Sequence, residues 1–442
     1  MINTGIVILA AGSGSRLGFS KPKALVPLAN LALLSHILEK LPKSCPCFLI
    51  INPADTQHFE AYAPQCALLY QEIPKGTAHA ITENLEHFKH LSALIVLNAD
   101  TPLISSELIN QVLQQKPDSL VGVHSPNHPS FGQMTIVGNQ VTSIIEASDR
   151  ESNISDTCYA GIMKLSAQSI QALTNIQPSP MTGEYYLTKI VSENRSFSFL
   201  IAPFHEVCGI NTPQELIQAE TMYRQQVVQR LLNKGCHIAC YQSMVISPET
   251  QIGESCTLDA QVTLQNRTII GKNCHIGQGS ILKNVQLADN VTILPYSILT
   301  DCHIQEHTTI GPMAHIYQNT HVGKHCHIGN FVELKRSTVQ DHVKAKHLAY
   351  LGDSNIGCHV NIGAGVISCN FTPWKPGKQI TQIQDHAFIG ANCTLIAPIK
   401  IGRSAICAAG STISLDIQKE SLAICRAKPV IKESWRPKIT ET

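Results

Sequence analysis

From residue 246 onward, aliphatic side chains return every six residues, a period that neither the α-helix nor an ordinary strand possesses. Ile246, Ile252, Leu258, Leu264, Ile270, Ile276 and Leu282 share one register, and Ile304, Ile310, Ile316, Val322, Ile328 and Leu334 a second. Ile356 and Ile362 follow an interruption, and Ile383, Ile389, Leu395, Ile401, Cys407 and Ile413 form a last run. Gly often follows the aliphatic residue, as at Gly253, Gly271, Gly311, Gly329 and Gly390. Hexapeptide repeats of this kind stack as a parallel β-helix. Each unit is a short strand and a turn of a triangular coil, with the aliphatic side chain on the axis. Three units close one coil.

The repeat also explains most of the cysteines. The chain has 16 Cys and 20 His, and Cys-His pairs at 274–275, 302–303, 326–327 and 358–359 suggest a zinc array. Yet Cys256, Cys274, Cys302, Cys326 and Cys393 stand two residues before a repeat aliphatic, where a small apolar side chain points inward. Cys358 is grouped with them. No spacing matches a zinc ligand set. The N-terminus MINTGIVILAAG lacks a basic segment before a long apolar stretch, so no signal peptide is expected and the thiols are expected free in the cytoplasm.

The first ~210 residues read differently, as alternating strands and helices around a mostly parallel, Rossmann-like sheet. Gly5–Leu9, Cys47–Ile51 and Ala93–Leu97 are apolar throughout, which suits strands covered on both faces. Helices are expected over Ala29–Glu39 and Ser105–Leu113. Residues 212–235 predict a linker helix, with a Thr212-x-x-Glu215 capping box, Pro213 in the first turn and Gly235 past the end. The expected division is therefore residues 1–211, a linker helix over 212–235, and a β-helix over 236–442.

Two features of the first part point to phosphate chemistry. The strand Gly5–Leu9 runs into Ala10-Ala11-Gly12-Ser13-Gly14-Ser15-Arg16-Leu17-Gly18, a turn whose backbone N–H groups can cradle phosphate. Its glycines miss the G-x-G-x-x-G spacing, and no Gly-Lys-Ser/Thr follows. Arg16 and Lys23 add positive charge. The segment Asn98-Ala99-Asp100 directly follows the strand Ala93–Leu97, which puts Asp100 at the carboxyl end where an open α/β sheet binds ligands, and its oxygens suit Mg²⁺ bound with substrate phosphates.

Leu-Ala-Ala-Gly-x-Gly-x-Arg-Leu, Lys-Pro-Lys-Ala-Leu at 21–25, Gln71 with Gly76-Thr77-Ala78, Asp100-x-Pro-Leu, Gly183-Glu184-Tyr185 and Gly209-Ile210-Asn211 occur in this order. In these motifs the chain resembles the sugar-phosphate nucleotidyltransferases. With the hexapeptide half it resembles, from Leu9 to Arg426, the bifunctional N-acetylglucosamine-1-phosphate uridyltransferase / glucosamine-1-phosphate N-acetyltransferases. The resemblance implies that Leu9, Ala10, Ala11 and Gly12 hold UTP, that Lys23 and Arg16 meet phosphate, and that Gln71, Gly76 and Thr77 read uracil. It implies Gly132 and Glu146 at the sugar, and Asp100 and Asn211 as Mg²⁺ ligands. Asn98 stands where the family has Tyr, Tyr159 where an Asn contacts the sugar, and Lys189 where an Asp is usual.

In the second half the six-residue register fails between Leu334 and Ile356, a break where function is expected. The segment Lys346-His347-Leu348-Ala349-Tyr350 resembles the family's acetyltransferase site. The resemblance implies His347 as general base oriented by Glu333, and Lys335, Tyr350 and Asn361 at the sugar phosphate. Ala364, Asn370, Phe371, Ala409 and Arg426 match acetyl-CoA positions, with Lys378 as the lysine of a loop formed by the insertion Asn370–Gln382. Tyr317 replaces the family's phosphate-binding Arg and Ala391 a Ser, leaving Lys335 and Arg336 as nearby cations. The resemblance also implies a left-handed coil and a homotrimer.

Lys+Arg 33 against Asp+Glu 32 leaves a formal charge of +1, which argues against a nucleic-acid partner, and no stretch is long and apolar enough for a membrane span. The partners expected are small molecules: UTP, glucosamine-1-phosphate, N-acetylglucosamine-1-phosphate and acetyl-CoA. Two other readings fit the same residues. One is a related enzyme with a changed sugar, base or acyl acceptor, and the other a β-helix scaffold carrying an inactive enzyme domain.

Overall fold

The computed structural model describes the chain except residues 1–2, 13–16, 19–20, 126–130, 150–154, 193, 374–375, 434 and 436–442. Arg16 therefore lies outside the described residues. The chain divides into two compact units, residues 1–223 and 224–442.

The first unit is built on a mixed sheet in the order Ser198–Ile201, Ser119–His124, Thr157–Ser166, Ala93–Asn98, Thr4–Leu9, Cys47–Ile51, Ala67–Tyr70. Only Thr157–Ser166 runs antiparallel to its neighbours along this path. Alternate side chains of each apolar strand enter different cores: Ile6, Ile8, Leu49, Ile95 and Leu97 on one face, Val7, Phe48, Ile50, Leu94 and Val96 on the other. That two-sided burial is why these strands carry almost no polar residue. The helix expected over Ala29–Glu39 is shorter. Ala29 and Asn30 have φ of 48° and 66° and turn a small hairpin, Pro27–Leu28 with Leu31–Ala32, so the helix covers only Leu33–Leu38. The second expected helix spans Ser106–Gln114, and the Ser105 side chain accepts from Leu108 N–H as its cap.

One helix, Pro213–Leu232, carries the chain from the first unit into the second. Its capping box forms: Glu215 accepts from the N–H groups of Asn211 and Thr212 at 2.6 and 2.8 Å, and Glu215 N–H donates to Thr212 Oγ1. Ala219, Tyr223, Val227 and Leu231 are buried along one stripe. No helix among the described residues is long and apolar enough to cross a membrane.

The second unit is a parallel β-helix with three strands per coil. Successive coils pair at offsets of 17 or 18 residues, as in Ile293↔Ile310 and Ile310↔Ile328. The repeat aliphatics form a continuous axis; Leu258, Leu264, Ile276, Leu282, Ile310, Ile316, Ile328 and Leu334 have no exposed surface. The expected break after Leu334 is not a break. Leu334 pairs with Leu351 and Val339 with Ile356, so the coil runs through with five-residue units ending at Val339 and Ile356. The missing residue is taken up at one corner, where Asp301, Arg336 and Asp353 adopt φ near 49°. The insertion is real: Ile356 pairs with Ile383 across about ten extra residues, and Gln379 N–H closes the excursion on Asn370 O at 2.9 Å.

Cys256, Cys274, Cys302, Cys326 and Cys393 are buried. Cys256, Cys274, Cys326 and Cys393 donate to backbone carbonyls of the next coil at 3.1–3.2 Å. Cys358 departs from them and is only half-buried, because the inward position two residues before Ile362 is Val360. The histidines turn outward, and one corner stacks five of them, His307, His325, His342, His359 and His386, with ring centroids 4.5–5.0 Å apart. Removing a side chain from the axis leaves a void the coil cannot close. Ile310→Ala is expected to cost about 2–5 kcal/mol, read as a lower urea midpoint with an unchanged slope.

Candidate active sites

In the first unit, two adjoining cavities open at the carboxyl ends of the central strands. One, of 490 Å³, is lined by Leu9, Ala10, Ala11, Gly12, Lys23, Gln71, Gly76, Thr77, Asn98, Asp100 and Asn211. The other, of 600 Å³, is lined by Phe131, Gly132, Glu146, Tyr159, Gly161, Glu184 and Thr188. They share Leu9, Thr77, Asn98, Asp100, Glu184 and Asn211. Parallel pairing of Thr4–Leu9 with Ala93–Asn98 brings the glycine-rich turn beside Asp100, and the Pro213–Leu232 cap fixes Asn211 opposite. Lys23 Nζ bridges these two, at 2.5 Å from Asp100 Oδ2 and 2.7 Å from Asn211 Oδ1. A carboxylate and an amide oxygen thus converge on one positive charge where the cavities meet.

The first cavity is set by Gly76. It sits at φ 107°, and a Cβ there would lie 2.6–2.7 Å from the Tyr185 backbone. The Gly76-Thr77-Ala78 turn is sewn to the segment behind it: Tyr185 N–H donates to Lys75 O, Ala78 N–H to Tyr185 O, and Leu187 N–H to Thr77 Oγ1. Gln71 is buried, with its Nε2 donating to Gly76 O at 3.0 Å.

In the second cavity, Thr188 Oγ1 donates to Glu146 Oε1 at 2.5 Å. Burial raises the Glu146 carboxyl above the usual carboxylate range against that bond. Burial, with the Glu146 charge, also raises the Tyr159 phenol. Gly161, at φ 78°, leaves room for the Asn98 amide, 2.7 Å from where a Cβ would stand. Lys189 pairs with Asp149 at 3.4 Å.

On the β-helix, the expected residues fall into two groups on successive faces, with the corner residues Phe331 and Leu348 between them. One group is a column. Pairing at Lys344↔Asn361, Asn361↔Phe388 and Phe388↔Ile406 places His347, Ala364, Ala391 and Ala409 at one register on successive coils, and Arg426 Nη1 donates to Ala409 O at 2.9 Å. The other group is Tyr317, Glu333, Lys335, Tyr350 and Asn370. Tyr317 stacks on His315 at 4.2 Å, lies 5.1 Å below Lys335 Nζ, and donates its hydroxyl to Glu333 Oε1 at 2.6 Å. Burial first, then this bond, pushes the Tyr317 phenol up to about 12. Asn370 Nδ2 donates to Tyr350 Oη at 3.2 Å and Asp353 Oδ2 at 2.6 Å. Lys378 Nζ stands 4.3 Å over the Phe371 ring.

Two expectations change here. Glu333 is not the partner of His347; it faces Tyr317 past the corner, and His347 Nδ1 bonds instead to Asn330 Oδ1 at 3.0 Å. Sequence reasoning missed Asn330, which only the coil offset Asn330↔His347 reveals. Arg336 is engaged: Asp353 takes it in a two-point pair at 2.7 and 2.9 Å, leaving Lys335 as the cation beside Tyr317.

Known proteins match both halves. Residues 6–164 match the MobA-like NTP transferase domain. Residues 249–284 and 301–336 match the bacterial transferase hexapeptide (six repeats), and 380–414 the hexapeptide repeat of succinyl-transferase. A bifunctional protein GlmU from Thermodesulfovibrio yellowstonii is 36% identical, the alignment covering 98% of this chain and 99% of that protein. Those from Prochlorococcus marinus and Nostoc sp. are 34% and 32% identical, covering 98% and 99% of this chain and the same shares of their own. The chain belongs to the GlmU family. As a GlmU-family member it is a transferase in both halves, and the two groups of residues above are its candidate active sites. Gly76→Ala forces both a strained φ and a backbone clash, so it is expected to weaken UTP binding at least about tenfold, measured by calorimetry on the full chain.

Proposed function

We propose that the chain makes UDP-N-acetylglucosamine in two steps: acetyl transfer from acetyl-CoA to glucosamine-1-phosphate on the β-helix, then uridylyl transfer from UTP to N-acetylglucosamine-1-phosphate in the first unit. The observation that carries this reading is the meeting of the two cavities at Lys23, Asp100 and Asn211, in a chain that matches GlmU proteins from end to end.

In the uridylyl step, Leu9 to Gly12, Gln71, Gly76 and Thr77 hold UTP in the first cavity, and Gly132, Glu146, Tyr159 and Thr188 hold the sugar in the second. The sugar-phosphate oxygen attacks the α-phosphorus in line and pyrophosphate leaves. Lys23 stands at the junction, where its charge favours the transition state over the separate reactants. Asp100 Oδ2 and Asn211 Oδ1 both accept from the Lys23 ammonium, and a carboxylate and an amide oxygen facing the same point are donors of the kind that would hold Mg²⁺ together with substrate phosphates. That ion would supply neutralisation of the phosphate charge.

In the acetyl step, the glucosamine amine attacks the thioester carbonyl, His347 takes the amine proton, and CoA leaves as thiolate. Ala364, Ala391 and Ala409 form a track of small side chains for acetyl-CoA, with Phe371, Lys378 and Arg426 beside it. Lys335 and the Tyr317 hydroxyl meet the phosphate, and Tyr350 and Asn361 the sugar, while Asn370, bonded to Tyr350 Oη, stands where the acetyl-CoA site adjoins it. A homotrimer supports this step: the two residue groups lie on successive faces, and the corner residues Phe331 and Leu348 between them are 55% and 60% exposed, apolar surface that a second copy would cover.

A second reading, the same chemistry on another sugar, is favoured by Tyr159 and Asn98, which line the sugar cavity beside Glu146 and Gly161 where the resemblance leads one to expect other side chains. Mass-spectrometric analysis of one mixture of glucosamine-1-phosphate, acetyl-CoA, UTP and Mg²⁺ tests both. UDP-N-acetylglucosamine is the expected product. N-acetylglucosamine-1-phosphate alone would favour the second reading, and no product at all would sink the first. His347→Ala is expected to lower acetyl transfer about 10²–10⁴-fold and leave uridylyl transfer intact. EDTA is expected to do the reverse, abolishing uridylyl transfer and sparing acetyl transfer.

A further inference from the structure

We infer that Asn330 is a positioning residue for acetyl transfer: it holds the His347 ring with its proton on Nδ1, so that Nε2 presents a free lone pair to the amine. The inference rests on the reading of His347 as the base. Asn330 and His347 are paired residues on successive coils, and Asn330 Oδ1 lies 3.0 Å from His347 Nδ1. The approach is built in. Gly329 precedes Asn330 and is buried, and a Cβ on it would overlap the Lys346 carbonyl, so only glycine lets the coil bearing His347 come this close.

The chemistry of the pair has one productive arrangement. A neutral imidazole carries one N–H, and whichever nitrogen donates a hydrogen bond leaves the other as the base. An amide oxygen can only accept, so facing Nδ1 it selects the Nδ1–H form. Were the amide turned to donate from Nδ2, Nε2 would keep its hydrogen and nothing would receive the amine proton. Glu333 cannot substitute, because it is taken by Tyr317 on the next face. The titratable groups around His347 are Lys344 and Lys346 on its own strand and His327 on the preceding coil; the next coil brings Asn361 to Ala364, which carry none. None of these changes in the variants below.

The test uses the full chain and both activities. Asn330→Ala is expected to lower kcat for acetyl transfer about 10–100-fold, with both KM values within about twofold of the unaltered protein. Uridylyl transfer, in the other unit, should be unchanged and so reports folding. Asn330→Asp retains the acceptor and adds a charge that favours the imidazolium. It should therefore recover most of kcat and move the acid limb of the pH–kcat/KM profile to higher pH. In a His347→Ala background, Asn330→Ala should cause no further loss. The inference is overturned by an Asn330→Ala kcat within about twofold of normal, by an Asn330→Asp variant no better than Ala, or by a further loss in the His347→Ala background. Full acetyl transfer by His347→Ala alone would instead remove the base reading itself, a result that needs no variant at position 330.

Discussion

Backbone pairing between one coil and the next is the interaction on which the second half of this protein depends. Backbone N–H groups of one coil bond to carbonyls of the next along each face, so the offset of 17 or 18 residues decides which side chains stand over one another. The same ladder aligns the aliphatic axis, the stacked histidines and the column from Asn330 through His347 to Ala409. Side-chain contacts add to this arrangement but do not choose it: a one-residue slip in a parallel ladder would turn every inward residue outward. The coil spends its irregularities where they do no such harm, at corners whose residues adopt positive φ and in one excursion that leaves and returns at the same place.

The first unit solves its positioning problem with a different device. Strands apolar on both faces fix the sheet, and the polar groups gather only where those strands end. Asp100 follows the strand Ala93–Asn98, the glycine-rich turn follows Thr4–Leu9, and Asn211 arrives through the cap of a helix. Three segments far apart in sequence meet because each stands at the end of a rigid element, which is how a loop-borne site acquires precision.

Much of this was legible in the sequence because it was periodic or adjacent to something periodic. The six-residue register located the axis, and the apolar runs located the central strands. The phosphate-facing turn and Asp100 could be read as strand-end residues. What stayed hidden was hidden for definite reasons. A five-residue unit looks like a broken repeat until the corner that absorbs the missing residue is seen, so the stretch after Leu334 read as an interruption. The offset also conceals partners: nothing local links Asn330 to His347, whereas Glu333 looked closer. The hairpin at Ala29 and Asn30 was masked by apolar spacing that imitates a helix, and its positive φ values decided otherwise. Within the first site, the bridging of Asp100 and Asn211 by Lys23 depends on three separate elements and leaves no mark in any one of them.

The thiols packed against the axis give this coil something unusual, a set of markers spread along its length. Cys256, Cys274, Cys302, Cys326, Cys393 and Cys407 are all buried and unpaired, each in a different coil or face. A buried thiol reacts only when its surroundings open. The sequence therefore carries its own ruler for local unfolding: the rate at which each cysteine is captured by an alkylating reagent records how often that coil comes apart, and the order of the rates would show from which end the stack frays.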